Sequence, residues 1–273
     1  MLTQTLGFIG GGNMARSLIG GLIARGLPAA QVVVSDPMPA QREQLIATFG
    51  VSATEDNLAT ARGAQVLILA VKPQELKAVT TQMAPLVAQL RPIVISIAAG
   101  VRARDIQHWL GGVPVIRCMP NRPALNGAGV TGLFATPDAD AASRELAGEI
   151  LGAVGPALWV QSEDLMDAVT AISGSGPAYF FLLIEMLETT GVQLGLSSDV
   201  AHRLAVETAY GSGFMARSAP ESASTLREQV TSKGGTTEAA LKSLEAANVR
   251  GIFAAAVTAA AKRSAELADQ LGK

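Results

Sequence analysis

Leu6-Gly7-Phe8-Ile9-Gly10-Gly11-Gly12-Asn13-Met14-Ala15 is the stretch on which the fold turns. A short apolar run ends in glycines, and a helical pattern follows at once. Gly10, Gly12 and Ala15 fit Gly-x-Gly-x-x-Ala. The pattern reads as a strand, a tight turn, and a helix whose unpaired backbone N–H groups face an anion. Gly10 permits the turn, Gly12 lets a pyrophosphate approach the backbone, and Ala15 keeps helix and strand close. The same glycines also suit a β–α turn with no ligand, so the rest of the chain has to decide.

Downstream, Val32-Val33-Val34 forms a strand ending at Ser35-Asp36. That is about 20 residues past the turn, where a dinucleotide fold places its ribose-reading group. An aspartate there repels a 2′-phosphate and favours NAD, whereas Ser35 offers that phosphate a hydroxyl. Asp36 before Pro37 also suits a plain turn. Cofactor choice is open on these residues alone.

Ala40 to Phe49 reads as a helix stopped by Gly50. Val66 to Val71 is an unbroken aliphatic run, as in a strand buried on both faces, and it leads into Lys72-Pro73-Gln74. Ile93 to Ile97 follows, then strands at Val113 to Cys118, at Gly129 to Ala135 and near Leu158 to Val160. Such alternation predicts an α/β protein with a parallel doubly wound sheet and right-handed crossovers, its ligand loops beyond the strands' carboxyl ends. This dinucleotide-binding domain is expected over 1–162.

From Glu163 the texture is helical throughout, giving an expected all-helical domain over 163–273 for substrate binding and dimerisation. Ser173-Gly174-Ser175-Gly176-Pro177 is a turn with proline at a first helical position. Ala178 to Ile184 is then apolar all round, so its helix must be buried on every side. A partner subunit is the expected cover, and a central place in a monomeric bundle the alternative. Near the end, Val249, Ile252, Phe253, Ala256, Val257 and Ala260 form an apolar stripe at helical spacing, expected to be core. Between these lies Val230-Thr231-Ser232-Lys233-Gly234-Gly235-Thr236-Thr237-Glu238. Its hydroxyls and glycines before a helix form either a second anion site, fit for a small carboxylate, or a connection capped by Thr236 or Thr237.

The chain of 273 residues is 49% hydrophobic but only 4% aromatic, which predicts an aliphatic, alanine-rich core. A net charge of −2 and a charged fraction of 16% give no basic stripe for nucleic acid. The single cysteine, Cys118, allows no internal disulfide and fits a reducing compartment. No basic segment precedes an apolar one at the start, and the apolar stretches look shorter than the roughly 20 residues that span a bilayer. A soluble cytoplasmic protein without membrane contact is expected. The two histidines, His108 and His202, read as ordinary helix residues, Cys118 as a small buried side chain, and no metal-ligand spacing occurs. A dinucleotide enzyme without an evident acid or base suits an electrophile that needs little help. A protonated imine is one, whereas a ketone calls for a Lys or His donor.

Taken in order, Gly7 to Ala15, Ala70-Val71-Lys72-Pro73-Gln74, Arg117-Cys118-Met119-Pro120-Asn121, Ser173 to Tyr179, and Thr231-Ser232 with Gly235-Thr236-Thr237 resemble the pyrroline-5-carboxylate reductase family along essentially the whole chain. The resemblance implies a Rossmann-type domain followed by an all-α dimerisation domain. It also implies hydride transfer from NAD(P)H to the ring C=N of 1-pyrroline-5-carboxylate, giving L-proline. By position, Gly10, Gly11, Gly12, Asn13, Met14, Ala15, Ser35, Asn57, Ala70, Val71, Lys72 and Pro73 would hold the dinucleotide, with Ser96 and Ala98 lining the nicotinamide side. Ser35 and Asn57 near the 2′-phosphate imply NADPH, with NADH as the alternative. Glu163, Val230, Ser232, Thr236 and Thr237 would surround the substrate, Thr237 being the catalytic candidate beside the ring nitrogen. Homodimers, which in the family often assemble into decamers, are implied as well, with dimer or decamer open for this chain and the substrate pocket formed where the helical domains of two subunits interlock. Two positions depart from the family pattern: Arg122 stands where Thr is usual, and Lys233 where Pro is usual. Neither is expected to abolish activity. Rival readings are a reductase of another cyclic imine, a β-hydroxyacid dehydrogenase, for which Lys242 is the one helical lysine candidate before the last helix, and a dinucleotide sensor without turnover.

Overall fold

The computed structural model describes residues 2–272 and divides into two compact units, Met1–Ser175 with Ala260–Lys273, and Gly176–Ala259. In the first unit the chain alternates β1 (Leu6–Ile9), α1 (Asn13–Ala24), β2 (Val32–Ser35), α2 (Pro39–Phe49), β3 (Ser52–Thr54), α3 (Asn57–Gly63), β4 (Val66–Leu69), α4 (Pro73–Leu90), β5 (Ile93–Ser96), α5 (Ala103–Trp109) and β6 (Val115–Pro120). β7 (Thr131–Ala135), α6 (Ala141–Leu151), β8 (Ala157–Trp159) and α7 (Leu165–Val169) complete it. The strands form one sheet in the order β3-β2-β1-β4-β5-β6-β7-β8. Order reverses between β1 and β4, the crevice where open sheets of this kind bind ligands.

Alternation along each strand builds a core on both faces. Phe8, Val34, Ile68 and Ile95 pack with Leu18 and Ile19 of α1, Leu45 of α2 and Ile150 of α6. Their neighbours Ile9, Leu67, Leu69 and Val94 pack with Leu76 and Met83 of α4 and Ile106 of α5. The expected doubly wound sheet is present with one correction: β7 runs antiparallel to β6, and β8 pairs parallel to β7. Between Pro120 and Thr131 the chain makes only a 3-10 turn, Arg122–Asn126. That is too little for the helical crossover a parallel neighbour needs. Residues 163–175 remain with this unit because α7 and the π-helical turn Thr170–Gly174 pack on β7 and β6.

The second unit contains α8 (Gly176–Gln193), α9 (Ser198–Ser218), α10 (Ala223–Gln229), α11 (Thr236–Ala246) and the first part of α12 (Val249–Leu271). α8 and α9 pair extensively, with Ala201 and Ala205 buried. The large apolar side chains stay outside: Phe180 is 64% exposed, Phe181 61% and Leu182 54%. Ile252 and Phe253 of the α12 stripe are exposed too, which corrects their expected place in a core; the Phe253 ring meets Tyr179 edge-on. The expectation of no membrane-length segment is corrected as well. Leu165–Gln193 is a helical run long and apolar enough to cross a bilayer, with mean hydropathy 1.2. Its first turns are nevertheless built into the sheet unit, where Met166 and Ala171 are fully buried.

Candidate active site

The turn after β1 explains each of its glycines differently. Gly10 has φ +99°, and a Cβ there would stand 2.7 Å from the Ala70 carbonyl oxygen. At Gly11 a Cβ would meet Leu45 Cδ1 at 2.6 Å. Both glycines are required by the protein's own packing. Gly12 is not: a Cβ there would meet nothing within 4 Å. Internal packing gives no reason for glycine at position 12, whereas a group approaching from outside does. Gly12 is also the N-cap position of α1, no side chain caps that helix, and its first turn leaves N–H donors unpaired. Open space beside unpaired donors fits the pyrophosphate of a dinucleotide.

The remaining loops stand at the same sheet edge because β1, β2, β4 and β5 are parallel. Gly10 N–H donates to the Ser35 carbonyl at 2.7 Å, and Ala70 N–H to the Ile9 carbonyl at 2.8 Å, tying the strand ends together. Asp36 is nearly buried, and both its carboxylate oxygens are taken: Oδ2 accepts from Gly11 N–H and Oδ1 from Met38 N–H, each at 2.9 Å. It braces the glycine turn. Arg42 stands against the same turn, its guanidinium donating to the Asp36 carbonyl at 2.7 Å. Ser35 is fully buried and donates to Asn57 Oδ1 at 2.7 Å. This bond fixes the Asn57 amide, whose NH2 keeps its two donors. Ala70, Val71 and Pro73 are half-buried and Lys72 is exposed at the start of α4, while Ser96 and Ala98 are buried at the end of β5.

Glu163 sits in this unit. Its carboxylate pairs with the buried Arg117 at 3.0 Å and accepts from Ala103 N–H at 2.5 Å. An ion pair between residues so distant in sequence leaves no local signal. Nearby, burial raises the Asp105 carboxyl above its ordinary value, with Arg104 and Arg102 opposing. Cys118 is buried in β6, and desolvation pushes its thiol well above the usual range, as befits a packing residue. His108 is on α5, and His202 on α9 lies 3.2 Å from Glu188.

In the helical unit the segment between α10 and α11 sorts its hydroxyls. Thr231 Oγ1 is committed to the Arg227 carbonyl at 2.6 Å. Ser232, Thr236 and Thr237 make no side-chain hydrogen bond among the described residues, and Val230 is exposed. The N-cap position of α11 is Gly235, not Thr236 or Thr237. Glu238 reaches back to Gly234 N–H at 2.6 Å, and Gly234 has φ +74°. A Cβ on Gly235 would stand 2.5 Å from Ser232 Oγ. The glycines thus set Ser232 over the start of α11, where Thr236 and Thr237 supply N–H donors and free hydroxyls. Donors and hydroxyls in such an array have the chemistry to meet a small carboxylate and a neighbouring nitrogen. Among the described residues no cluster of His, Cys, Asp or Glu suits a metal.

Comparison with known proteins supplies independent findings. Residues 163–267 match the pyrroline-5-carboxylate reductase dimerisation family, and residues 5–100 match the family of coenzyme F420-dependent NADP oxidoreductases. A pyrroline-5-carboxylate reductase of Pseudomonas aeruginosa is 49% identical over 100% of both chains. The solved structure of such a reductase from Coxiella burnetii is 42% identical, with TM-score 0.94 over 97% of this chain and 99% of that one. The Plasmodium falciparum enzyme, solved with NADP bound, is 27% identical, with TM-score 0.85 over 98% and 99%.

Proposed function

The chain belongs to the pyrroline-5-carboxylate reductase family, and we infer from that membership and from the two sites that it reduces the ring C=N of 1-pyrroline-5-carboxylate to L-proline with NAD(P)H. It is an oxidoreductase of proline biosynthesis acting on a CH–NH bond, and it works as a homo-oligomer. The observation that carries the reading is the pair of donor arrays. One is the uncapped glycine turn with an unfilled position at Gly12; the other is the Ser232–Thr237 segment with its free hydroxyls.

Bound NAD(P)H supplies the hydride. The N–H groups at the start of α1 hold the pyrophosphate, and Asn57, oriented by Ser35, meets the adenosine ribose. Val71, Lys72, Pro73, Ser96 and Ala98 shape the nicotinamide side. In the helical unit the substrate carboxylate rests on the N–H groups and hydroxyls of Ser232, Thr236 and Thr237, beside Val230. Thr237 Oγ1 holds the proton at the ring nitrogen. The imine carbon gains hydride while nitrogen keeps that proton, so C=N becomes CH–NH and charge balances. No strong acid is needed, because the protonated imine already carries the charge that draws hydride. The Glu163 carboxylate is held by Arg117 and Ala103 N–H.

Exposure of Phe180, Phe181 and Leu182 supports a second copy as the cover for α8. Burying each such side chain is worth roughly 1.5–3 kcal/mol. Protein rather than lipid is the favoured cover, because the same helical run begins inside the sheet unit. Dimers assembling into decamers in the cytoplasm complete the proposal. The test is NADPH oxidation by purified protein given 1-pyrroline-5-carboxylate, pyrroline-2-carboxylate or a hydroxyacid. Turnover with the first, and L-proline as product, is expected. Preference for either of the others overturns the assignment.

A further inference from the structure

Arg122 opens the 3-10 turn that follows β6. β6 is parallel to β5, so this turn stands at the edge that carries the glycine turn. Its mount is rigid. Asn121 is buried, donates from Nδ2 to the Ser173 carbonyl at 3.1 Å and accepts from Val130 N–H at 2.9 Å. Ala124 is buried in one core with Ala15 and Leu18, and the turn packs directly on α1. Even so, the Arg122 side chain is exposed and has neither an ion-pair nor a hydrogen-bond partner among the described residues. Its counterparts at this edge are engaged: Arg16 donates to Gln44, and Arg42 to the carbonyls of Asp36 and Pro37. The Lys72 side chain, exposed at the start of α4, likewise has no hydrogen-bond or ion-pair partner among the described residues.

A free guanidinium on a fixed mount, against the helix whose uncapped N-terminus faces the dinucleotide, calls for an anion. We propose that Arg122 contacts the pyrophosphate of the bound dinucleotide, adding a charged side-chain contact to the backbone cradle at Gly12. The proposal rests on reading the glycine turn as the dinucleotide site. Pyrophosphate is common to NADH, NADPH and ADP-ribose, so the contact acts equally on all three. Being a charge pair at an exposed position, it weakens with salt.

The test is calorimetric titration of ADP-ribose, NADH and NADPH into wild type, Arg122→Gln and Arg122→Lys at low and high ionic strength. Arg122→Gln should raise all three Kd values by a common factor of roughly 5 to 10 at low salt, with the gap closing at high salt. Arg122→Lys should recover part of the loss, since Lys keeps the charge without the fork. Unchanged Kd values in Arg122→Gln overturn the proposal. So does a rise confined to the KM of the imine acid, which would assign Arg122 to the substrate carboxylate. Failure of the wild type to bind any of the three would instead overturn the reading of the glycine turn. The side chain is exposed, so equal melting temperatures are expected and misfolding does not confuse the outcome.

Discussion

The sheet unit and the helical unit solve the burial problem in opposite ways. Strands β1, β4 and β5 are covered on both faces by helices from their own chain, and every side chain in them but the half-buried Ile93 reaches essentially zero exposure. In the helical unit α8 and α9 share a thin seam of alanines and leave their phenylalanines and leucines in water. One unit closes its own core; the other leaves an apolar face uncovered. On the proposed function, the dinucleotide would sit on the closed scaffold and the substrate acid on the unit with the uncovered face.

Breaking the contrast outright takes a charge on α8. Phe181→Asp should dissociate the oligomer and abolish turnover, while the sheet unit still binds NADPH; light scattering and calorimetry read the two separately. If oligomer and activity both survive, the apolar face is not the interface. Next in size, Glu163→Gln leaves the buried Arg117 without its counter-charge and should cost about 3–5 kcal/mol in chemical unfolding. A loss under 1 kcal/mol would show that the pair does not brace the sheet unit.

The glycine turn sharpens the comparison within the sheet unit. Gly12→Ala should fold normally yet weaken NADPH binding by roughly 10- to 100-fold, whereas Gly11→Ala should lower the melting temperature through its clash with Leu45. Equal NADPH affinity in Gly12→Ala would mean that nothing approaches the backbone there. In the helical unit, Thr237→Ala should cut kcat/KM by about 10-fold or more while leaving the Kd of NADPH unchanged. An unaltered rate would remove Thr237 from the site. The smallest effect concerns Cys118. Burial raises its thiol in the folded state, whereas the unfolded thiol ionises near pH 8.5, so its contribution to stability is complete below that pH and falls above it. Alkylation at about pH 9 should therefore follow unfolding; rapid labelling of native protein would contradict the burial.

Most of the sheet is legible in the chain because aliphatic runs such as Val66 to Leu69 have few other places to go. β3 and α3 are not announced in the same way: Ser52-Ala53-Thr54 has no apolar run and is a strand only because β2 lies beside it. The reversed direction of β7 is not carried by its residues either, although the short stretch between Pro120 and Thr131 excludes a helical crossover. At the sites, motif order exposes the glycine turn and the Ser232–Thr237 segment. It cannot reveal that Asp36 braces Gly11, that Ser35 turns Asn57, or that Glu163 belongs to Arg117. Those roles arise from partners distant in sequence, and only the folded backbone brings them together. The apolar stripe of α12 misleads for a related reason: helical spacing marks a face that needs cover without saying which chain supplies it.

We infer that this protein transfers hydride from NAD(P)H to a cyclic imine acid. The most direct measurement follows NADPH absorbance and L-proline together after adding 1-pyrroline-5-carboxylate to oligomeric protein. Equimolar loss of NADPH and gain of L-proline is the predicted result. Tight NADPH binding with no oxidation in the presence of authentic substrate would contradict the account and leave a dinucleotide-binding protein without turnover.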